Sequence, residues 1–321
     1  MMRRVVTLFA AGIALALSAT PAGAQYPSRT VKVIVPFPAG GAADTITRVI
    51  AQPLADALGQ PVVVENRPGA DGAIAADAVM KSPPDGYTLF MATSSAMSAV
   101  PAMRKNPPYD PVTAFTPITK VGTFSYFLFT HPSVPAKSVS ELIDYIRANP
   151  GKVNYAGATT TGIMAAVQLA SFANLDMVRV PYKGEGPASI DLISGRVHLM
   201  FATPTNALGP AKEGRLRVLA TLLSQRSPAA SDAPTMAEAG APTLSIVPWA
   251  GLFGPDKLPR DIVERLNREL TAILRREEVR TQIERQAFEV QVSTPEELAA
   301  YTKEQVEVWK TAVRDSGMPL E

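Results

Sequence analysis

Two patterns of apolar residues alternate along the chain. Short β-branched and aromatic runs at 31–35, 61–65, 87–92, 153–156, 177–180, 197–202 and 216–221 are separated by stretches whose apolar residues recur every three or four positions. The runs predict strands and the spaced stretches predict helices. Helices are expected over 44–58 with Pro53 as a kink, over 73–81, after the capping pair Ser138 and Glu141, and over about 162–173, 188–194 and 206–213. Two more are expected, one over 261–275 and one capped by Thr294 and Glu297, with Ala299, Thr302, Val306, Trp309 and Val313 as its apolar stripe. Such alternation predicts βαβ units with parallel sheets, hence an α/β fold.

The units fall into two series, each with its own sheet. Two apolar segments link them: 124–130, read as one strand after the irregular, proline-bearing stretch 106–117, and 244–253, which opens with a strand at 244–247. Trp249 in the second segment reads as core or as a pocket wall. The organisation expected is two α/β lobes joined by two crossover segments around a ligand cleft, with 25–124 plus 249–321 in one lobe and 125–248 in the other.

Candidate chemistry gathers at loops that follow strands, where open parallel sheets bind ligands. After the first strand, Pro36 and Pro38 break the pattern, Gly40 and Gly41 follow, and a helix begins at Asp44. A helix start leaves N–H groups unpaired and carries partial positive charge, which suits a carboxylate or phosphate. The other reading is a plain βα turn capped by Asp44. Thr93, Ser94 and Ser95 end the third strand, where their hydroxyls bind ligand oxygen or serve the local turn. The loop 157–162, with Thr159, Thr160 and Thr161, is a second anion-receptive helix start or an ordinary threonine cap. Tyr182 and Lys183 offer an amphipathic wall and a charge, or a solvated loop.

The N-terminus carries Arg3 and Arg4, an apolar stretch over 5–17 and small residues ending at Ala24, the pattern of a secretory signal peptide (1–24) rather than a membrane span. Cleavage near Ala24 would remove the two arginines and with them the formal net charge of +2. With no cysteine, the chain has neither a disulfide framework nor a thiol for lipid attachment. An exported, periplasmic protein is expected, with no direct membrane insertion after cleavage and nothing that asks for nucleic acid. Only His131 and His198 are present, and no nucleophile, zinc or calcium signature occurs. The chain is therefore read as no enzyme, with no metal and no cofactor.

Several of these segments resemble the Bug proteins, periplasmic substrate-binding components of tripartite tricarboxylate transporters. They are Val-Pro-Phe-Pro-Ala-Gly-Gly-Ala-Ala-Asp (35–44), Val-Glu-Asn-Arg-Pro-Gly-Ala-Asp-Gly (64–72), Asp-Gly-Tyr-Thr-Leu (85–89), Tyr-Asp-Pro-Val-Thr-Ala-Phe-Thr-Pro (109–117), Asn-Pro-Gly-Lys-Val-Asn-Tyr-Ala (149–156), Val-Pro-Tyr-Lys-Gly (180–184), Ala-Pro-Thr-Met-Ala-Glu-Ala-Gly (233–240) and 249–255. The resemblance implies a type II periplasmic-binding fold closing on a small carboxylate, delivered by a monomer to membrane permease subunits. It also implies that the carboxylate is held by the Gly-Gly loop and the helix starts of both lobes. Carried over by position, the site is Pro38, Ala39, Gly40, Gly41, Ala42 and Asp44, with Thr93, Ser94 and Ser95 nearby. In the second lobe it is Thr159, Thr160, Thr161, Tyr182, Lys183, Gly184, Ala202, Thr203 and Pro204. The chain departs from the family at Gly-Ala-Thr-Thr-Thr-Gly-Ile-Met (157–164), which is shorter and lacks a histidine, and at Ala202, where an aspartate is common. Losing that carboxylate argues against an amino-acid ligand. A ligand sensor signalling to a membrane kinase is the alternative role, and an exported enzyme a more remote one.

Overall fold

In the computed structural model, which describes residues 26–241, 246–318 and 320, the apolar runs assemble into two separate sheets. The expected signal peptide lies outside the described residues. The first sheet takes β1 (Val31–Val35), β2 (Val62–Asn66), β3 (Thr88–Thr93), β4 (Phe115–Phe124), β10 (Trp249–Pro255) and β11 (Phe288–Val290), in the order β11-β4-β10-β3-β1-β2. β1 runs parallel to β2 and β3, whereas β10 is antiparallel to β3 and β4. The second sheet takes β5 (Phe127–Thr130), β6 (Val153–Gly157), β7 (Met177–Pro181), β8 (Leu199–Ala202) and β9 (Arg217–Thr221), in the order β7-β6-β8-β5-β9. There β6 is parallel to β7 and β8, and β5 is antiparallel to β8 and β9.

Each sheet is covered on both faces, which is why its strands are nearly continuous apolar runs. In β1, Val31, Val33 and Val35 face a core shared with α1 (Ala42–Leu58) and α8 (Arg260–Leu274), contributed by Ile46, Ile50, Leu54, Leu266 and Leu270. Ile34 points the other way, to Phe90, Trp249, Phe253 and Leu298 under α2 (Ala73–Met80) and α10 (Pro295–Ser316). The second sheet divides likewise, and three further helices, α3 (Val100–Met103), α7 (Leu208–Lys212) and α9 (Glu277–Glu284), lie among the described residues. Leu128, Leu199 and Phe201 pack with Leu142 and Ile146 of α4 (Val139–Ala148) and Leu169 of α5 (Thr160–Ala173). On the opposite face, Phe127, Phe129, Met200 and Ala202 pack with Ala188 and Leu192 of α6 (Glu185–Ile193).

The chain passes between the sheets side by side. Ser125 and Tyr126 leave β4 for β5, and Pro248 precedes β10, with the Phe124 N–H donating to the Pro248 carbonyl at 2.8 Å. These two strips form the floor between the lobes.

Several elements differ from the expectation. The single strand over 124–130 is two strands broken at Ser125 and Tyr126, because its halves pair in different sheets. The stretch 106–117, expected to be irregular, ends inside β4, whose Pro117 sits opposite Phe253 at a register shift, where a missing donor does least harm. In the expected strand 244–247, residues 244 and 245 lie outside the described residues and 246–248 form no strand. α1 runs unbroken through Pro53. It starts at Ala42 rather than Asp44, and α6 starts at Glu185 rather than 188. Both shifts move first-turn residues towards the cleft.

Candidate ligand-binding site

Three first turns and one irregular helical segment face a common cavity. α1 opens with Gly41 as its N-cap, without a side-chain cap, so the Ala42 and Ala43 N–H groups have no helical acceptor. Asp44 explains why this turn is rigid. Its carboxylate accepts from the Gly40 N–H at 2.9 Å, from Arg48 Nε at 3.0 Å and from Asn66 Nδ2 at 2.9 Å. Burial works against the charged carboxylate, but the bonds from Arg48, Gly40 and Asn66 outweigh it and hold Asp44 below the usual carboxylate range. Asn66 Nδ2 also donates to the Phe37 carbonyl at 3.0 Å, tying the loop to the end of β2. Gly40 has φ +82°, a conformation that favours glycine. Gly41 has φ −78°, open to any residue.

β3 ends at Thr93 and leads into a π-helical turn, Ser95–Ala99, of a kind frequent at functional sites. Thr93 is only 4% exposed, and its hydroxyl has no hydrogen-bond partner. In the second lobe Thr159 caps α5, its Oγ1 accepting from the Gly162 N–H at 3.2 Å. Tyr126, on the crossing strip, lies 2.5 Å from that same Oγ1 and donates to Glu185 Oε1 at 2.9 Å. Glu185 Oε1 also accepts from the Thr203 N–H at 3.1 Å, and Oε2 accepts from the Thr203 hydroxyl. Burial pushes the Glu185 carboxyl above the ordinary range even though Thr203 and Tyr126 donate to it. Burial and the Glu185 carboxyl together raise the Tyr126 phenol well above its usual value, so it stays neutral.

These groups line a cavity of about 680 Å³, counted out to its open mouth. Of the expected residues, Pro38, Ala39, Gly41, Ala42, Thr93, Ser94, Ser95, Thr159, Thr161 and Thr203 lie in its lining. Phe37, Ala43, Phe124, Tyr126, Glu185, Gly186, Pro187 and Pro248 line it as well, without having been singled out from sequence. Among the described residues the lining contains no lysine, arginine or histidine, and Glu185 is its one acidic side chain.

The other expected residues stand around the cavity. Gly40 and Asp44 brace the α1 turn. Thr160 Oγ1 donates across the cleft to Ser95 Oγ at 2.7 Å. Gly184 is the N-cap of α6 with φ +142°, and a Cβ there would stand 3.2 Å from Pro38 Cδ of the other lobe. The Tyr182 hydroxyl turns to Asp191 at 2.8 Å, and Lys183 is exposed. The Pro204 carbonyl accepts from the Leu208 N–H at 2.9 Å. Ala202 is buried among Phe127, Phe129 and Met200, so its side chain is core. The carboxylate missing there does not leave the pocket without one, because Glu185 supplies it. The one sequence signal for Glu185 was an acidic residue just after Gly184, where a helix start is expected to carry one. Neither His131 nor His198 lines the cavity, and no group of three His, Cys, Asp or Glu side chains suited to a metal occurs among the described residues.

Comparison with known proteins matches residues 46–318 to the tripartite tricarboxylate transporter family receptor, TctC. The chain is 36% identical to Protein BugT of Bordetella pertussis, over 99% of each sequence. Among solved structures it is similar to Rpa4515 of R. palustris with adipate, at TM-score 0.87 and 31% identity over 91% of this chain and 98% of that one. It is also similar to MatC (Rpa3494) of Rhodopseudomonas palustris with bound malate, at TM-score 0.84 and 33% identity over 90% of this chain and 100% of that one.

Proposed function

The chain belongs to the tripartite tricarboxylate transporter receptor family, and from this we propose that it captures a small organic carboxylate in the periplasm and delivers it to the permease subunits of such a transporter. The observation that carries the reading is the uncapped first turn of α1 beside the unpartnered Thr93 hydroxyl, both on the cavity wall. Each helix end favours an anion by about 0.3–1 kcal/mol, or ~2 kcal/mol when partly buried. Micromolar binding needs about 8 kcal/mol, so hydrogen bonds and apolar contact with Phe37, Phe124 and Pro248 supply the greater part. The adipate and malate of the two similar structures support a carboxylate as solute.

Within this reading, lobe one comprises 25–124 and 249–321 and lobe two 125–248, a division supported by which sheet each strand joins. The ligand site comprises Pro38, Ala39, Gly41, Ala42, Thr93, Ser94, Ser95, Thr159, Thr161 and Thr203, with Tyr126 and Glu185 added, and Gly40, Asp44, Thr160 and Gly184 positioning them. The chain works as a monomer, without cofactor and without catalysis. It is exported by a signal peptide cleaved near Ala24, and the intact mass of protein recovered from the periplasm checks that site.

A thermal-shift screen of the mature protein against mono-, di- and tricarboxylates, amino acids and neutral sugars tests the proposal, since a saturating ligand raises the melting temperature by mass action. Shifts confined to carboxylate-bearing compounds are expected. Shifts from neutral compounds alone would overturn it, and conversion of a bound ligand on long incubation would overturn the non-catalytic part.

A further inference from the structure

We propose that Glu185 sets the class of solute: the cavity takes monocarboxylates whose far end bears a hydrogen-bond donor, namely an amide, hydroxyl or ammonium group, and rejects dicarboxylate dianions. The inference rests on the reading of the cavity as a carboxylate site and narrows it.

The two walls of the cleft are chemically unlike. On the first lobe's side the polar groups include the free N–H groups that open α1 and the unpartnered hydroxyl of Thr93. That wall suits a carboxylate. On the second lobe's side α5 has a side-chain cap, whereas α6, like α1, has none. Thr159 caps α5 through the Gly162 N–H, and the first turn of α6 carries Glu185 itself, whose negative charge offsets the positive end of that helix. This wall therefore favours a second anion less than the first does, because Asp44 in the first turn of α1 is paired with Arg48 whereas Glu185 has only neutral partners.

A carboxylate presents about four lone-pair positions. In Glu185, Oε1 is filled by the Tyr126 hydroxyl and the Thr203 N–H, whereas Oε2 receives only the Thr203 hydroxyl. One acceptor position on Oε2 remains, on a half-buried side chain that lines the cavity. Its protein partners are neutral, so no cation in the lining is available to separate it from a second carboxylate. With Glu185 ionised, a dianion would bring like charges together where little water screens them. A ligand donor instead completes the carboxylate's hydrogen bonds, and an ammonium group also balances its charge.

Calorimetry at about neutral pH, using pairs of equal length, tests this: succinate against succinamate, adipate against its monoamide, and each against the corresponding ω-amino acid. For the wild type, the donor-ended member of at least one pair is expected to bind tighter by about tenfold or more. In Glu185→Gln, the amide oxygen can keep the bonds from Tyr126 and Thr203 N–H while its nitrogen donates to the Thr203 hydroxyl and to a ligand carboxylate. The preference should then shift by about tenfold towards the dicarboxylate. A wild-type protein that binds the dicarboxylates as tightly as their partners overturns the inference and leaves the carboxylate reading standing. An unchanged ratio in a folded Glu185→Gln protein does the same. Should no carboxylate bind the wild type at all, the carboxylate reading fails and the inference with it. The wild-type ratios decide the matter even where the variant folds poorly.

Discussion

Thr93 is the residue whose surroundings ask most plainly for a ligand. Its hydroxyl is buried without a partner, which costs free energy in the empty protein and is regained when a ligand atom bonds to it. Thr93→Val should leave the melting temperature of the ligand-free protein unchanged or raise it, while weakening ligand affinity by about 0.5–1.5 kcal/mol. Paired thermal and calorimetric measurements check both halves. Gly41→Val tests the neighbouring wall. The turn tolerates the new side chain, because φ is −78° and a Cβ would meet only the Pro38 carbonyl at 3.5 Å. Strain on adding a side chain would belong instead to Gly40, whose φ is +82°. The Gly41 variant should fold and lose binding by obstruction, whereas Lys303→Ala, exposed on α10, should change neither.

Glu185 also makes a pH prediction. Its proton is held more tightly in the folded state than in the unfolded one, because burial outweighs the donors around it. Folding is therefore favoured at low pH, and that advantage is lost as pH rises from the unfolded value, near 4.3, through the raised folded value. Tyr126, the ionisable side chain in contact with it, stays neutral throughout. Glu185→Gln has no such proton to lose. The melting temperature of the variant minus that of the wild type should climb across this window and level off above it. A difference independent of pH would show that the carboxyl is not held above its ordinary range.

At the scale of elements, the α1 turn depends on Asp44 more than on its glycines. Asp44 is the third residue of the helix and reaches back to the Gly40 N–H, so one side chain fixes the loop, the helix start and Asn66 together. Asp44→Ala should destabilise the protein by about 1–3 kcal/mol, the range for a buried polar group left without its partner, and loosen the binding wall. Denaturant unfolding checks the first effect, and hydrogen exchange at Gly40 to Ala43 the second. α10 teaches a smaller lesson about period. Its buried stripe is Leu298, Thr302, Val306, Trp309 and Val313, whereas Ala299, expected in the stripe, is exposed. Both residues fit a three-to-four spacing, and the side chain large enough to cover Trp249 and Phe253 is the one turned inwards.

At the scale of the whole molecule, the contacts between the two lobes include Thr160 with Ser95, Gly184 against Pro38, and Met164 of α5 packed with Ala99, Met103 and Trp309. Thr160 itself does not line the cavity, so replacing it leaves every lining side chain in place and takes only a donor from Ser95. Thr160→Val should lower affinity several-fold, by about 0.5–1.5 kcal/mol, through a shift of the population towards an open cleft. Small-angle scattering should then show a larger radius of gyration without ligand and the wild-type value at saturation. Equal affinity and equal radius would assign closure to other contacts.

The alternation of strands and helices, the two series of units, the loops that follow strands and the family resemblance could all be read from the order of residues. These are local: β-branched runs, three-to-four spacing, prolines and capping pairs act within a few residues of themselves. Asp44, Thr93 and Thr159 could be singled out because each sits at an element end that the pattern marks. Which side of each end faces the cleft depends on how the lobes pack. That packing separated Thr159 and Thr161, which line the cavity, from Thr160 between them, which crosses to the other lobe. It turned Tyr182 away to Asp191 and placed Ala202 in the core. It also brought Tyr126, Glu185 and Thr203 together from positions far apart in the chain. Hydrogen bonds of this kind depend on how two sheets and their helices stack, and a stacking distance leaves no periodic mark in the order of residues.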